Sequence, residues 1–450
     1  MNSIFRNRVL YLFLLLTLFI NPASATHSSD LGKLLIEKGL ITQQELDSLQ
    51  KSEETTLSTA DQDSIVEKVA KKVKAESPFT AGYGKKGFFI KSQDGNWQTN
   101  LRWRAQMRYT GTEDEHNAEM RRLRMKIGGH GYQPWLKYYF EVDLQPSRDS
   151  DDSSSKSSAR VIDYRITMDK YKWLSFRVGQ WKINYNRERV DSSGKQTFVE
   201  RSIVNSVFTV DRQMGAMVFG RLFPGTLGDM RYYAGVFNGE GRAVNNDDQD
   251  MLYMGRLQWN FLGRDLKWRQ SDVGYHEKPA GNIAIAAATN SGKCTKWSSS
   301  GCGNLSGFED ETTAAEGQFD IDQAMIETAF KYRGFAWQQE YHWKDIKDNV
   351  NGTDSKLKGG YAQAGYFFHN LIPAVPKNLE LAARYAFVDE PNSADVTKTD
   401  KRKEYTAAVN YFISGHNNKL TLDYSHLKDD DAFTGSDSER RVRVQWDVSF

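Results

Sequence analysis

Apolar and polar residues alternate with a period of two along most of this chain. At its end, Val442, Val444, Trp446, Val448 and Phe450 share one parity, while Arg441, Arg443, Gln445, Asp447 and Ser449 share the other. A strand turns successive side chains to opposite faces, so this stretch has one greasy face and one charged face. The pattern recurs upstream. Leu101, Trp103, Ala105, Met107 and Tyr109 oppose Arg102, Arg104, Gln106 and Arg108, and Leu123, Met125 and Ile127 oppose Arg122, Arg124 and Lys126. Leu136, Tyr138, Phe140 and Val142 oppose Lys137, Tyr139, Glu141 and Asp143; Ile162, Tyr164, Ile166 and Met168 oppose Asp163, Arg165 and Thr167. Further strands are predicted over 174–178, 212–222, 230–237, 253–261, 266–275, 323–332, 335–343, 358–368, 379–388, 404–412, 418–427 and 440–450. The total is about sixteen.

Tight connections (169–173, 223–229, 333–334, 414–417) alternate with long polar ones (147–158, 184–210, 238–250, 278–320, 345–356, 389–401, 428–438). A soluble sandwich would not present Tyr, Trp and Leu on one parity of strand after strand. The expected fold is therefore all-β: a 16-stranded antiparallel transmembrane β-barrel with lipid outside and an aqueous channel, not a packed interior, within. The mean hydropathy of −0.65 does not argue against this, because a membrane barrel needs only every second residue to be apolar. Aromatic residues make up 12% of the chain, which suits aromatic girdles.

The start of the chain reads as a secretory signal peptide, 1–25. Arg6 and Arg8 precede an apolar run from Val9 to Ile20 that is too short to span a bilayer, and Ala23-Ser24-Ala25 fits a cleavage site. Residues 26–80 are predicted to form a small periplasmic α-helical module and linker. Thr42 and Glu45 make a capping box, and Gln62, Val66, Val69 and Val73 step as coiled-coil core positions do. The barrel domain is expected over 81–450, entered through a linker around Lys85 and Lys86. Phe450, ending an alternating strand, looks like the carboxyl-terminal signal read by the outer-membrane insertion machinery.

Charge enters through its placement. The formal net charge is +2, and losing Arg6 and Arg8 with the leader brings the mature chain to neutrality. On the lumenal parity, however, Arg102, Arg104, Arg122, Arg124 and Lys126 fall on one wall, joined by Arg384 on a later strand. Rings of Arg and Lys favour anions, and the guanidinium fork suits oxyanions. The segment 184–210 carries Arg187, Arg189 and Arg201 together with apolar residues. It is too long for a hairpin and too apolar for a solvated loop, so it is expected to fold inward as a constriction. The competing readings are arginines merely paired with lumenal acids, rim clusters that bind lipopolysaccharide phosphates, and an outer loop packed on a neighbouring protomer. Cys294 and Cys302, the only two cysteines, are expected to form a disulfide in an exported protein. Eight scattered histidines assemble no catalytic arrangement or metal spacing, and no enzyme activity, cofactor or nucleic-acid partner is expected.

Val178-Gly179-Gln180-Trp181-Lys182, Phe198-Val199-Glu200-Arg201-Ser202-Ile203-Val204-Asn205, Asp211-Arg212-Gln213-Met214-Gly215 and Tyr233-Ala234-Gly235-Val236-Phe237-Asn238-Gly239 resemble the phosphate-selective outer-membrane porin family. Leu379-Glu380-Leu381-Ala382-Ala383-Arg384-Tyr385 and Lys38-Gly39-Leu40-Ile41-Thr42 do so too. The resemblance implies a trimeric porin with a constriction loop after the fifth strand and an anion path. On that reading Lys182 and Arg201 sit at the constriction, and Asp143 offsets the arginines so that bound anions leave. The implied partners are small anions, phosphate or polyphosphate among them, outer-membrane lipid and lipopolysaccharide, and two further copies of the chain. The alternatives are a general-diffusion porin with weak or cationic selectivity, and a structural or adhesive barrel whose helical module contacts the cell wall.

Overall fold

In the computed structural model sixteen antiparallel strands close into one barrel. The structure describes residues 78–84, 86–145, 159–244, 246, 249–299, 301–392, 395–396 and 398–450, with six positions between 36 and 47. The signal sequence and nearly all of the predicted helical module lie outside the described residues.

The strands are β1 (Gln98–Gly111), β2 (His116–Gly131), β3 (Gln133–Asp143), β4 (Arg160–Tyr171), β5 (Leu174–Lys182), β6 (Arg212–Leu222), β7 (Met230–Phe237) and β8 (Leu252–Trp259). The second half comprises β9 (Ala280–Gly292), β10 (Phe319–Tyr332), β11 (Phe335–Asp348), β12 (Thr353–Tyr366), β13 (Leu379–Pro391), β14 (Thr399–His416), β15 (Asn418–Asp431) and β16 (Gly435–Ser449). Each pairs with the next. The ring closes where β16 meets β1, with Val444 opposite Tyr109 and Trp446 opposite Met107. The terminal Phe450 finishes the seam: its N–H donates to Trp103 O at 3.0 Å, and its carbonyl accepts from Trp103 N at 3.2 Å. Below the seam a strand from Gly87 to Ser92 pairs with the start of β1, Phe88 lying opposite Leu101. The stretch expected to be a mere linker thus covers the edge that β16 leaves open, as an exposed edge requires.

Three expectations need correction. Residues 266–275 form no strand; 260–279 are instead a long connection at the near rim, the rim where the barrel begins and ends. The missing strand is β9, inside the segment read as a loop over 278–320. Its inward residues Ala284, Ala286 and Ala288 are buried, and its outward ones include Ile283 and Ile285. Both parities are apolar, so no alternation betrays it. The segments 345–356 and 428–438 are mostly strand and 389–401 is about half strand, with tips at 349–352, 432–434 and 392–398. Charged residues on both faces hide the alternation there.

The largest correction concerns the lumen. The segment 183–211 does fold inward, through two short helices, α1 (Arg187–Val190) and α2 (Val204–Phe208). The connection between β9 and β10, tied by a disulfide between Cys294 and Cys302 (Cα–Cα 5.5 Å), packs beside it. Trp181, Tyr185, Val204, Val207, Phe208 and Trp297 form a buried core with inward residues of β5–β13, such as Met217, Phe237, Met254, Phe319 and Leu357. Among the described residues, none of this core comes from β1–β4 or β14–β16. One side of the barrel is therefore packed like a soluble interior, and the aqueous space lies against the other. Gly359 on β12 leaves room for this: a Cβ there would lie 2.6 Å from the Phe208 ring.

Phe208 is 1% exposed and stacks on His342 at 5.3 Å. Phe208→Ala should cost the inward segment about 3–5 kcal/mol of packing, while the hydrogen-bonded barrel still forms. In planar bilayers we expect larger single-channel conductance and noisier current, with heat-modifiable gel migration retained. Unaltered conductance would show that α2 is not seated as described.

Candidate permeation site

The inward segment crosses the lumen and is bonded to the wall nearly all round. Wall carboxylates accept its backbone N–H groups. Glu327 accepts from Arg187 N (3.1 Å), Glu340 from Glu188 N (2.7 Å), Asp423 from Val199 N (2.9 Å) and Glu404 from Ile203 N (2.9 Å). Its carbonyls accept from wall donors: Ser193 O from Gln106 (3.1 Å), Thr197 O from Asn410 (2.9 Å) and Glu200 O from Arg384 (3.1 Å). A buried loop backbone needs such partners, since water cannot supply them.

From the near rim, the 260–279 connection rises to meet it. Arg187 donates to Lys267 O at 2.9 Å, Thr197 N to Gln270 Oε1 at 2.7 Å, and Arg269 pairs with Asp191. Beneath them Ser271 donates to Glu380 at 2.8 Å. This support from below had no signal in the sequence beyond an unexplained run of polar residues.

Register brings the early basic residues together on the opposite wall. Arg102 faces Lys126, Arg104 faces Arg124, and Gln106 faces Arg122 across β1 and β2. Their surroundings differ. Arg124 is neutralised by Asp143 (2.9 Å) and Glu141 (3.2 Å), and Lys126 also reaches Glu141 (3.2 Å). Asp143 is thus the direct partner of Arg124. Arg187 is 1% exposed and locked on Glu327 at 3.0 Å; Arg189 is paired with Asp211, and Arg384 with Glu404. These three fasten the inward segment; Arg187 and Arg384 lie off the far cavity, while Arg189 also borders it. Arg122 shares one carboxylate, Glu200, with Arg108 and Arg121, at 3.8, 2.7 and 3.3 Å. Arg102 donates to Asn417 at 3.1 Å.

Three cations are held by neutral oxygens. Arg104 donates to Ser192 and Ser193 hydroxyls (3.0 and 2.9 Å), Lys182 to Arg189 O and Asp191 O (3.1 and 3.2 Å), and Arg201 to Glu188 O and Asp191 O (2.9 and 2.8 Å). Among the described residues none of the three has a carboxylate within 4 Å. None of them sits in an ion pair, although Glu188, Glu200 and Asp211 act on Arg201, Asp211 on Lys182, and Glu141 and Asp447 on Arg104 from farther off. On the far-rim side of the segment lies an open cavity of about 850 Å³. Ten basic side chains line it against five acidic ones, with Arg122 and Arg201 at its floor and Arg402, Arg441 and Arg443 on its walls. Arg441 and Arg443 lie on the charged parity of the last strand, whereas Arg402, Arg121 and Lys296 were not singled out by the alternation: Arg402 lies near a strand end, Arg121 at the bulge where β2 shifts register, and Lys296 on the disulfide loop.

The profile of the phosphate-selective porin O and P family matches residues 96–450, the whole barrel. The chain belongs to that family. A protein of Aquifex aeolicus (strain VF5), described as uncharacterized, is 26% identical over 300 residues, covering 62% of this porin and 66% of the relative, just under two thirds of it. Among solved structures, the anion-selective porin from Comamonas acidovorans aligns over 78% of this chain and 99% of its own, at 11% identity and a TM-score of 0.50. The outer-membrane channel DcaP of Acinetobacter baumannii aligns over 80% and 99%, at 13% identity and a TM-score of 0.48. These likenesses concern the fold. Family membership implies a bacterial outer-membrane β-barrel of the porin fold.

Charges on the inward segment are tuned by their setting. Burial pushes the Glu188 carboxyl up to about 7, against the pull of Arg384. Three arginines overcome the burial of Glu200 and hold it well below the usual carboxylate range. Burial, with Arg269 and Arg102 nearby, draws the Lys195 ammonium down to about 8. Lys195 is therefore charged below that pH and neutral above it. Anion preference should fall as pH rises from about 6 to 9, first as Glu188 loses its proton and then as Lys195 loses its charge, and Lys195→Arg should remove the upper part of the fall. A reversal potential in a KCl gradient that is flat across this range in the unmodified porin would refute the assignment.

Proposed function

We propose that this porin is a passive water-filled channel that prefers anions. The reading rests on one observation above the others: at the inward segment Arg104, Lys182 and Arg201 are held by neutral oxygens and not by ion pairs, and Arg201 borders the far cavity. The net-basic lining of the far cavity adds to it. In a narrow passage walled by low-dielectric material such charges act strongly on a passing ion. Arg122 and Arg124 contribute less, because Glu200, Glu141 and Asp143 offset them. Phosphate fits the same donors, since guanidinium forks and an ammonium match an oxyanion.

On this reading the chain ends mark the periplasmic rim, the far cavity opens to the exterior, and 26–80 projects into the periplasm. Three copies assemble side by side, as the family implies. The general-diffusion alternative is favoured by the many paired arginines, and the two readings differ in sign of selectivity. Reversal potentials under a KCl gradient decide between them. We expect clear chloride preference, weakened several-fold by Arg201→Glu or Lys182→Glu and less by Arg122→Glu. Cation preference in the unmodified porin would overturn the proposal.

A further inference from the structure

Below the inward segment the lumenal wall carries a feature unlike the far cavity: guanidinium groups placed over aromatic rings. Arg165 lies opposite Tyr139 across β3 and β4, its guanidinium 4.4 Å from the ring centroid. Arg177 lies 4.7 Å from the centroid of Phe219. Phe219 faces Tyr233 across β6 and β7, stacked at 6.1 Å and 9°. Tyr233, buried at the near-rim edge of the packed core, in turn meets Trp268 of the 260–279 connection at 6.1 Å, with Phe219 and Trp268 only partly buried against that core. Arg177, Phe219 and Tyr233 each lie three residues inside a near-rim strand end, about 10 Å into the barrel. At the upper end Tyr139 donates to Glu141 (2.6 Å), which holds Arg124 and Lys126. The track therefore runs from near the rim to the basic wall.

Two details indicate a ligand-facing surface. Arg177 donates only to Thr167 Oγ1 (3.2 Å) and Asn184 Oδ1 (3.3 Å), with no carboxylate within 4 Å among the described residues. Tyr139, Arg165, Arg177, Phe219 and Trp268 all retain partial exposure. An inorganic oxyanion gains nothing from the rings, which only displace water it would use. A planar organic anion can use both parts, its carboxylate on a guanidinium edge and its ring against a guanidinium or aromatic face.

We infer that this near-rim track recognises aromatic carboxylates, giving the channel a preference among anions that depends on ring faces as well as charge. The inference rests on the channel reading above. The test uses the purified full-length porin in planar bilayers at pH 7. Chloride current is titrated with benzoate, acetate and cyclohexanecarboxylate, and the three half-blocking concentrations are compared within each channel. Benzoate should act at a concentration on the order of tenfold lower than acetate, with cyclohexanecarboxylate closer to acetate. Phe219→Leu and Arg177→Gln should each bring the benzoate-to-acetate ratio towards one, and Arg177→Lys should restore only part of it. Equal action of benzoate and acetate on the unmodified channel would overturn the inference. So would cyclohexanecarboxylate matching benzoate, which would mean that apolar bulk alone is sensed, or a ratio unmoved by Phe219→Leu. A cation-preferring reversal potential would instead refute the channel reading itself, so the two failures are separable.

Discussion

Everything in this lumen depends on buried wall carboxylates that accept the backbone N–H groups of a loop. Glu327, Glu340, Glu404 and Asp423 project from four different strands and each receives an amide of the inward segment. Most also hold an arginine: Glu327 binds Arg187 and Arg256, Glu404 binds Arg384, and Asp423 binds Arg443. A carboxylate buried alone would be costly, and so would an orphaned amide. Together with a guanidinium they form units in which each carboxylate and each amide has a partner. Removing one member leaves the others charged and dry, which is the arrangement that makes buried pairs expensive to break.

This use of acid explains which cations remain for permeation. Where a wall acid is needed to hold the segment, the matching arginine is consumed, as at Arg187 and Arg384. Where the segment is held by hydroxyls and carbonyls, as at Ser192, Ser193 and Asp191, the cations that donate to them keep their charge. Charge available to an ion is thus a by-product of how the loop is anchored. That is why a near-neutral composition can coexist with a basic path.

The barrel was legible because a lipid-facing parity must be apolar on every strand, whatever lies inside. Val442 to Phe450 and Leu101 to Tyr109 obey that rule and pair where they should. The register of Arg104 with Arg124 also follows from alternation once two strands are neighbours. β9 was hidden because Ala284, Ala286 and Ala288 face a packed core, so its inner face lost the polar signature that alternation needs. The inward path of 260–279 was hidden for a related reason. Gln270, Ser271 and Asp272 are polar because they bond to Thr197, Glu380 and His276, yet a stretch of this length between two strands reads as a further, poorly alternating strand over 266–275. The roles of Arg187 and Arg201 were inseparable in sequence, since only burial and partners distinguish a fastener from a path residue.

The packed side of the lumen has an electrostatic consequence. At the level of the inward segment, where β5–β13 are lined by core and by that segment, water is confined towards the wall formed by β1–β4 and β14–β16. Field lines from Arg104, Lys182 and Arg201 then spread into water chiefly along the passage, since the apolar core on their other side has low polarisability. A symmetric, fully hydrated lumen of the same sixteen strands would screen those charges within about 8 Å at physiological salt. In this barrel the screening ions themselves must enter the narrow space, and each must displace or pair with a permeant ion to do so. Filling half of a wide barrel is therefore a physical means of making three charges outside ion pairs count, without raising the net charge of the chain.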